Sequence, residues 1–418
     1  MTALLPVNEA QARILSVFHP VETENIPIEK STGRILAETV RAVGDLPPFA
    51  NSSMDGFAVQ SADVQNARRD APAVLAVVAD IPAGKHVTVP IQRGQAARIM
   101  TGAPIPPGAD AVVPVEDTDL SPALHADVSN QAVPAQVSIY SGASPGTNIR
   151  PRGQDVQQGQ ILLEKGRKLQ PQDVGMLASI GQVEVCVYRR PRVALFSSGD
   201  ELVQPGRQLE PGQIYDSNQY MLAALLEREG AEVIRLGAAQ DRPEDIEAIL
   251  SKGVAQNVDL LVTSAGVSVG AYDYVRQVIE SHGALTFWRV NMRPGKPLAF
   301  GSYSGIPLIS LPGNPVSAFI GCMVFVLPAI YRLAGHERPF PAREKAILAE
   351  PVESDGRESY LRAVVNREGG HLTARLTGHQ GSGNLFSLVQ ANALLILPSG
   401  VKSLPSGAEV DVWFIEEI

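Results

Sequence analysis

The sequence predicts a multidomain protein that combines α/β and β architectures. Its 418 residues are too many for one hydrophobic core, so roughly two to four domains are expected. Strand and helix patterns alternate over residues 182–335, which predicts a central domain with a doubly wound parallel sheet. Residues 45–146 and 336–418 carry short apolar runs separated by Gly and Pro, which is typical of β-structure. The predicted fold class is therefore α/β plus β, with a β-rich inserted domain, a helical or mixed linker domain and a C-terminal β-barrel-like domain.

The linker domain is predicted from two separated stretches, 1–44 and 147–181, which we expect to pack together. The first stretch contains an amphipathic helix over about 8–18 and a second helical pattern around 34–40. Because the β-rich residues 45–146 lie between the two stretches, they are interpreted as an inserted domain.

The inserted domain shows a β pattern and two polar turns. Its apolar runs predict strands at 73–79, 96–100 and 111–115. Asp55 stands in an Asp-Gly pair before an apolar run, which is a common turn signal. Thr101 follows a strand end in the same way, so a structural role is the simpler interpretation of both residues before any family argument.

The central domain is predicted from strands that each precede a helix. The strands are expected at 193–197, 232–236, 259–263 and 308–311, and the helices at 219–229, 244–255, from about 272, and at 316–331. Ligands of such sheets bind beyond the carboxyl ends of the strands. The loops at 197–201, 240–241, 264–270 and 312–315 should therefore lie together, although they are spread along the chain.

Composition limits the functional classes. A formal net charge of −9 argues against a general nucleic-acid binder, because phosphate backbones require clustered Lys and Arg. Cys186 and Cys322 belong to no Cys/His cluster, so free thiols in a reducing compartment are expected. The N-terminus lacks a secretory pattern, and the apolar run 316–331 is shorter than a membrane span. A soluble, cytoplasmic protein without a membrane partner is predicted.

Carboxylates gather at the predicted sheet edge, which indicates a cation site. They are Asp200, Glu201, Asp241 and Asp273. Like charges repel unless a cation or a donor offsets them, and Mg²⁺ takes one or two carboxylates together with water and substrate phosphates. Some of these acids could instead cap helices, notably Asp241 before Pro243. We expect two of the four to bind metal.

Anion-binding features lie in the same part of the chain. The small-residue loop 264–270 follows a strand and precedes a helix, an arrangement that favours phosphate, although an ordinary tight turn has about equal support. Arg293 and Lys296 place two cations on a Pro-Gly turn, and Asn314 is a plausible helix N-cap before Pro315.

The motifs resemble those of the molybdopterin molybdenumtransferase family, which includes bacterial MoeA and the E domain of gephyrin. The matching stretches run in order along nearly the whole chain: NSSMDGFAV, RIMTGAPIPPGADAVVPVED, RPRGQDV, LFSSGDELVQPG, YDSN, SVGAYDY, MRPGKP, SLPGNPVSAF and TGHQGSG. The resemblance implies elongated homodimers of four-domain subunits. It also implies insertion of molybdate into the dithiolene of adenylated molybdopterin, with Mg²⁺-dependent release of AMP.

The resemblance further implies roles for individual residues. Molybdate binding is implied for Arg293, Lys296, Arg362 and Ser382. Catalytic positions are implied at Asp55, Thr101, Asp155, Glu201, Asp241 and Asp273, the last three of which are also the candidate Mg²⁺ ligands. Binding of substrate phosphate or nucleotide is expected at Ser264, Gly266, Ser268, Gly270, Pro312, Gly313 and Asn314. Many relatives carry Lys at the position of Arg293, and the family pattern leaves Arg357 as an alternative to Arg362.

Other functions stay open at the level of sequence. A dimeric scaffold of the gephyrin E-domain type is the main alternative, but a scaffold requires neither the acidic nor the basic set. A stand-alone adenylyltransferase is disfavoured by the additional β domains. The sequence does not decide between molybdate and tungstate, nor does it identify contacts with the molybdopterin adenylyltransferase or with cofactor-accepting enzymes.

Overall fold

The structure is a computed structural model that describes residues 4–85, 88–121, 133–264 and 274–415. The chain divides into two compact units. The larger unit comprises Met1–Glu38, Lys165–Leu177 and Gln182–Ile418, and the smaller comprises Thr39–Glu164 and Ala178–Gly181.

A six-stranded sheet forms the centre of the larger unit. In spatial order its strands are Glu232–Ala239, Arg192–Ser198, Leu260–Ser264, Ile306–Leu311, Pro297–Tyr303 and Gly283–Arg289. The first four strands are mutually parallel, as predicted. The last two pair antiparallel, so the sheet has an antiparallel edge beside its four parallel strands.

The mixed edge has a local cause in the turn Ser304-Gly305. Both residues have positive φ, 49° and 82°, which is the backbone of a two-residue hairpin turn. This turn joins Pro297–Tyr303 directly to Ile306–Leu311 and makes that pair antiparallel. The sequence indicates this turn by a single Ser-Gly pair. The prediction instead followed the alternation of strands and helices, which is typical of parallel strands.

Helices cover both faces of the sheet, which confirms the doubly wound arrangement. Val193 and Leu195 pack in one core with the helices Ser217–Arg228 and Pro315–Gly321. Ala194 and Phe196 point to the opposite face and pack with the helices Pro243–Val254 and Tyr274–His282. The alternation follows from the two-residue period of a strand.

The most apolar helix runs from Pro315 to Leu333 and contains a π-helical segment, Cys322–Val326, before its last part, Leu327–Leu333. It is long and apolar enough to cross a membrane, but 89% of its most apolar window is buried within the fold. It is therefore the core helix that the sequence predicted. Cys322 is fully buried in it, and Cys186 is half-buried.

The C-terminal part of the larger unit is a closed β-barrel. Its strands are Met292–Arg293, Glu344–Leu348, Glu358–Glu368, His371–Leu376, Ala393–Leu397 and Glu409–Phe414. The long strand Glu358–Glu368 pairs with both His371–Leu376 and Ala393–Leu397, which closes the sheet. The predicted C-terminal β-barrel is therefore confirmed.

The N-terminal part of the larger unit is less helical than predicted. The helix Val7–Leu15 is present, but residues 34–40 form no helix. Ile35 and Leu36 instead make isolated bridges to Lys168 and Val187. The strand Thr23–Pro27 pairs antiparallel with Glu184–Tyr188.

The smaller unit contains a five-stranded sheet of the predicted β type. In spatial order its strands are Ala111–Pro114, Gly56–Val59, Gln95–Ile99, Arg68–Ile81 and Gln136–Ser141. Short pairs add Asn51–Ser52 to Ile149–Arg150, and Val40–Arg41 to Ile161–Leu163. The division of the whole chain into four domains remains a prediction.

Candidate active site

The carboxyl ends of the parallel strands open into a cleft of about 680 Å³. Ser198, Ser264 and Pro312 line it, and they stand at or just after the ends of three adjacent strands. Glu201 and Asn314 line the same cleft from the loops that follow. The structure thus brings together three of the four loops that the sequence placed at one edge.

The fourth loop, 240–241, contacts the loop 197–201 through the acidic residues Asp241 and Asp200. The backbone N–H of Asp241 donates to Asp200 Oδ1 over 3.1 Å. Burial raises the pKa of Asp241, and the negative charges of Asp200 and Glu201 raise it further, against a hydrogen bond from Ser198 that lowers it. The charges of Asp200 and Glu201 therefore disfavour ionisation of Asp241, which is the electrostatic setting of a cation site.

Only some of the candidate metal ligands lie within the described residues. Among the described residues, no group of three or more His, Cys, Asp or Glu side chains is placed to hold a metal ion. Asp273 lies outside the described residues, as do Gly266, Ser268 and Gly270 of the predicted phosphate loop. Glu201 and Asp241 stay candidates because the repulsion between these carboxylates fits a cation.

Arg293 and Lys296 are both exposed on the predicted basic turn. Asp355 Oδ2 lies 3.9 Å from Arg293 Nη1. The same carboxylate accepts hydrogen bonds from Arg357, which holds the pKa of Asp355 below its usual range. Arg357 also donates to the carbonyl of Met292 over 3.2 Å, so much of its charge and donor capacity is already used.

Unlike Arg293 and Lys296, which are exposed, Arg362 is fully buried. Its guanidinium donates to the carbonyls of His379, Gln380 and Gly381 and to the hydroxyl of Ser387, at 3.0–3.3 Å. No carboxylate pairs with it within the described ranges, and burial lowers its pKa to about 10. A buried cation without an acidic partner favours a nearby anion.

The loop held by Arg362 reaches the cleft. The Asn314 side-chain amide donates to Ser382 Oγ over 3.0 Å, and the N–H of Val316 donates to the Ser382 carbonyl over 3.1 Å. Gly383 lines the cleft next to Gly313. Asn314 occupies the N-cap position of the helix that starts at Pro315, but it makes no side-chain cap bond, because its amide is turned to Ser382.

The three remaining candidates lie in the smaller unit. Asp55 Oδ1 accepts from the backbone N–H of Thr101 at 2.6 Å and from its hydroxyl at 2.7 Å. Asp155 accepts from Arg150 over 2.5 Å. Asp55, Thr101 and Asp155 are all exposed, so these contacts leave the carboxylates accessible to solvent.

Reasoning from sequence assigned no role to Asp216 and Asn218, which line the cleft and are almost fully buried. Asp216 caps the helix Ser217–Arg228 by accepting from the N–H of Gln219. The Asn218 amide donates to the carbonyl of Gly313 over 2.7 Å. The YDSN motif was the available signal, and it matches the family.

This fold and cleft belong to a transferase of molybdenum cofactor biosynthesis, as comparison with family models and relatives shows. Family models match in chain order: the MoeA N-terminal region (domain I and II) over residues 5–181, a probable molybdopterin binding domain over 194–332, and the MoeA C-terminal region (domain IV) over 345–415. The chain belongs to the molybdopterin molybdenumtransferase family.

Individual relatives agree over almost the full length. The molybdopterin molybdenumtransferase of Nostoc sp. is 40% identical, with 93% of this chain and 88% of the relative covered. Molybdopterin molybdenumtransferase 2 of Mycobacterium tuberculosis is 37% identical, with 97% and 98% covered. The crystal structure of a molybdopterin biosynthesis MoeA protein from Pyrococcus horikosii superposes with a TM-score of 0.82 at 33% identity, covering 100% of both chains.

Proposed function

We propose that this protein inserts molybdate into the dithiolene of adenylated molybdopterin and releases AMP. The observation that carries the proposal is Arg362, a buried cation without a carboxylate partner among the described residues. It supports a loop whose Ser382 bonds to the rim of the cleft. A permanent positive charge at this position favours a dianion such as molybdate.

The oxyanion would be held by cations and a hydroxyl. Arg362 and Ser382 stand on the barrel side, while Arg293 and Lys296 offer exposed cations from the basic turn. The geometry favours Arg362 over Arg357, because Asp355 already neutralises Arg357. Each charge-assisted hydrogen bond contributes about 1.5–3 kcal/mol, so three or four can compete with hydration of the anion.

Mg²⁺ fits the acidic group, because Asp200 and Glu201 act on Asp241 with like charge. Glu201 and Asp241, together with Asp273, are the proposed ligands, and Asp200 supports them through the N–H of Asp241. When bound, Mg²⁺ would neutralise charge on the substrate phosphates. Burial, and after it the charges of Asp200 and Glu201, raise the pKa of Asp241, and a bound cation would offset both effects.

The chain's own residues position the substrate for the transfer of molybdate. Ser264, Gly313 and Asn314 provide short polar groups where phosphate or nucleotide is expected, with Pro312 fixing the turn. The basic side chains neutralise the negative charge of the substrates. The proposed reaction forms no covalent intermediate with the protein, so no protein nucleophile is required. Asp55, Thr101 and Asp155 are proposed as further catalytic residues.

The assembly and location follow from the family and remain part of the proposal. We propose a cytoplasmic homodimer of four-domain subunits: 1–44 with 147–181, 45–146, 182–335, and 336–418. It would receive its substrate from the molybdopterin adenylyltransferase and deliver the cofactor to accepting enzymes.

A reconstitution assay tests this function. Purified protein, adenylated molybdopterin, Mg²⁺ and molybdate are incubated with an apo-molybdoenzyme, and the regained activity of that enzyme is measured. We expect activation that is lost when molybdate or this protein is omitted. Equal activation without this protein would contradict the proposal, and activation with tungstate instead of molybdate into a tungsten enzyme would change only the oxyanion.

A further inference from the structure

A cavity of about 970 Å³ lies within the larger unit, and it shares no lining residue with the cleft of the candidate active site. The core helix lines it with Met323 and Leu327, and the barrel lines it with Leu372 and Trp413. All four residues are buried, so this apolar surface lies inside a concave space rather than on a flat face. We call this cavity the barrel pocket. Sites for small organic ligands are similarly apolar and measure about 300–1,000 Å³.

Three aromatic residues line the barrel pocket, namely Tyr331, Trp413 and Phe414. Trp413 is 4% exposed, and its indole N–H makes no hydrogen bond with any described residue. The indole nitrogen is not fully enclosed by protein, so an acceptor in the pocket can reach it. Because a buried tryptophan N–H usually has an acceptor, this atom indicates a ligand that supplies one, beside rings that favour an aromatic body.

Two cations at the barrel pocket have no carboxylate partner within the described part of the chain. They are Lys168 and Arg367, and both are exposed. Long cationic side chains can cover apolar surface with their stems while the charge stays in water. The barrel pocket therefore combines an apolar interior with positive charge that is free to pair with a ligand.

The acidic residues of the barrel pocket leave this positive charge in place. Glu229 accepts from the Tyr331 hydroxyl over 2.7 Å and pairs with Arg228 Nε over 2.9 Å, so its charge is already offset. Glu344 is exposed and is the second carboxylate of the lining. With three cations and two carboxylates, the lining carries a formal charge of +1 in a chain of net charge −9. The pocket thus favours an anion over a cation.

A smaller cleft of about 270 Å³ adjoins the barrel pocket. Three residues line both cavities, namely Lys168, Arg228 and Glu229. In the smaller cleft, carboxylates already pair with Arg34 and Arg189, whereas Arg190 forms no ion pair with a described residue. Glu227 is the exposed acid of this cleft. An anionic group at the shared wall therefore meets the unpaired cations Lys168 and Arg190 next to an apolar space.

We propose that the barrel pocket binds an aromatic organic anion, whose rings contact Met323, Leu327 and Trp413 and whose acidic group lies at Lys168. An oxygen of such a ligand would accept from the indole N–H of Trp413. A small ligand fits better than a protein surface, because the apolar residues line a concave space. The inference goes beyond the proposed function and does not depend on it.

The first experiment compares two fluorescent ligands on the full-length protein. Anilinonaphthalene sulfonate is an aromatic anion, and N-phenylnaphthylamine has the same rings without the sulfonate. We expect the double variant Lys168→Gln/Arg367→Gln to weaken binding of the sulfonate about tenfold, while binding of the neutral ligand changes less than about twofold.

The matched control is Lys252→Gln, which removes an exposed cation from the helix Pro243–Val254 on the other face of the sheet. It should bind both ligands as wild type does. Equal binding of the sulfonate by wild type and the double variant would overturn the inference. An equal loss in Lys252→Gln would also overturn it, because the attraction would then be unspecific.

The second experiment places the ligand in the molecule. The chain has two tryptophans, so Trp288→Phe leaves Trp413 alone and Trp413→Phe leaves Trp288 alone. Energy transfer falls steeply with distance, so we expect the bound sulfonate to quench the emission of Trp413 in Trp288→Phe. Trp413→Phe should lose most of this transfer and, with the N–H removed, bind the sulfonate about threefold more weakly on direct excitation.

The location is wrong if the quenching follows Trp288 rather than Trp413. Failure of the folded wild-type protein to bind the sulfonate would contradict the inference as a whole. Melting temperatures of all variants show whether they are folded, and the charge variants change exposed side chains. None of these measurements uses molybdopterin or AMP, so their outcome is separate from that of the proposed function.

Discussion

The side-chain amide of Asn314 donates a hydrogen bond of 3.0 Å to the hydroxyl of Ser382. This bond joins the end of a parallel strand in the central sheet to a loop that leaves the C-terminal barrel. The candidate site of the larger unit is thus built from two folded parts, and the position of the barrel loop depends on contacts made by the sheet.

Removing the Asn314–Ser382 bond should raise the molybdate requirement, because the bond positions the loop that carries Ser382. We expect Asn314→Ala and Ser382→Ala each to raise the molybdate concentration needed for half-maximal turnover, with a stability cost of about 1 kcal/mol. Since the two side chains share one bond, the double variant should cost less than the sum of the single variants. Strict additivity in this double-mutant cycle would show that the bond does not position the loop.

Replacing Arg362 by Lys should separate charge from geometry. Lys keeps the positive charge but cannot reproduce the planar fork that bonds to three carbonyls. We expect a folded protein whose molybdate requirement rises at least tenfold, measured as AMP release at varied molybdate. Arg357→Lys is the matched control and should change this requirement less than threefold. A larger effect at Arg357 would reverse the assignment.

Replacing Asp241 by Asn should reduce activity without reducing stability. The folded pKa of Asp241 is raised above the ordinary 3.8, so its ionised form is disfavoured in the fold and costs stability once the pH exceeds that value. At neutral pH, Asp241→Asn should keep or raise the melting temperature without Mg²⁺, while turnover falls at least a hundredfold.

The control for Asp241 is Glu227→Gln, which removes an exposed charge away from the acidic group. It should change neither turnover nor the response to Mg²⁺. A clear loss of stability in Asp241→Asn would contradict the repulsion inferred for this group, and unchanged turnover would remove Asp241 from the site.

His336 should make stability depend on pH. Burial lowers its pKa from the ordinary 6.5 to about 4, and its ring packs 4.9 Å from that of Tyr331. Between these two pH values the unfolded chain binds a proton that the folded chain does not, so the free energy of unfolding decreases as the pH falls from 6.5 to 4. The loss is at most about 3.5 kcal/mol, because one pH unit corresponds to about 1.4 kcal/mol.

His336→Phe removes this titration and keeps an aromatic ring beside Tyr331. We expect denaturant unfolding at pH 7 and pH 4.5 to differ less in the variant than in wild type. His19→Asn, at an exposed histidine, is the control and should retain the wild-type difference. Equal pH dependence in wild type and His336→Phe would show that His336 is not the group responsible.

The sequence predicted those parts of the fold that follow from periodicity. The alternation of strands and helices gave the doubly wound sheet, and the apolar strands after residue 336 gave the barrel. The antiparallel strands Pro297–Tyr303 and Gly283–Arg289 were missed because their pairing depends on one short turn. The helix predicted at 34–40 does not form, since tertiary bridges to Lys168 and Val187 outweigh local propensity.

The sequence predicted only those site residues that stand at or just after the ends of the strands. The rule that ligands bind beyond the carboxyl ends of strands brought Glu201, Ser264 and Asn314 to one cleft. Burial could not be read from the sequence, so the buried position of Arg362 was not predicted, and Asp216 received no role. Both residues depend on loops that pack over them in three dimensions.

The most direct test of the central claim is the release of AMP from adenylated molybdopterin by the purified protein with Mg²⁺, measured with and without molybdate. The account predicts release that depends on molybdate, with one AMP formed for each molybdenum bound to the pterin. No AMP release with either molybdate or tungstate, from a folded protein, would contradict the account and favour a scaffold function instead.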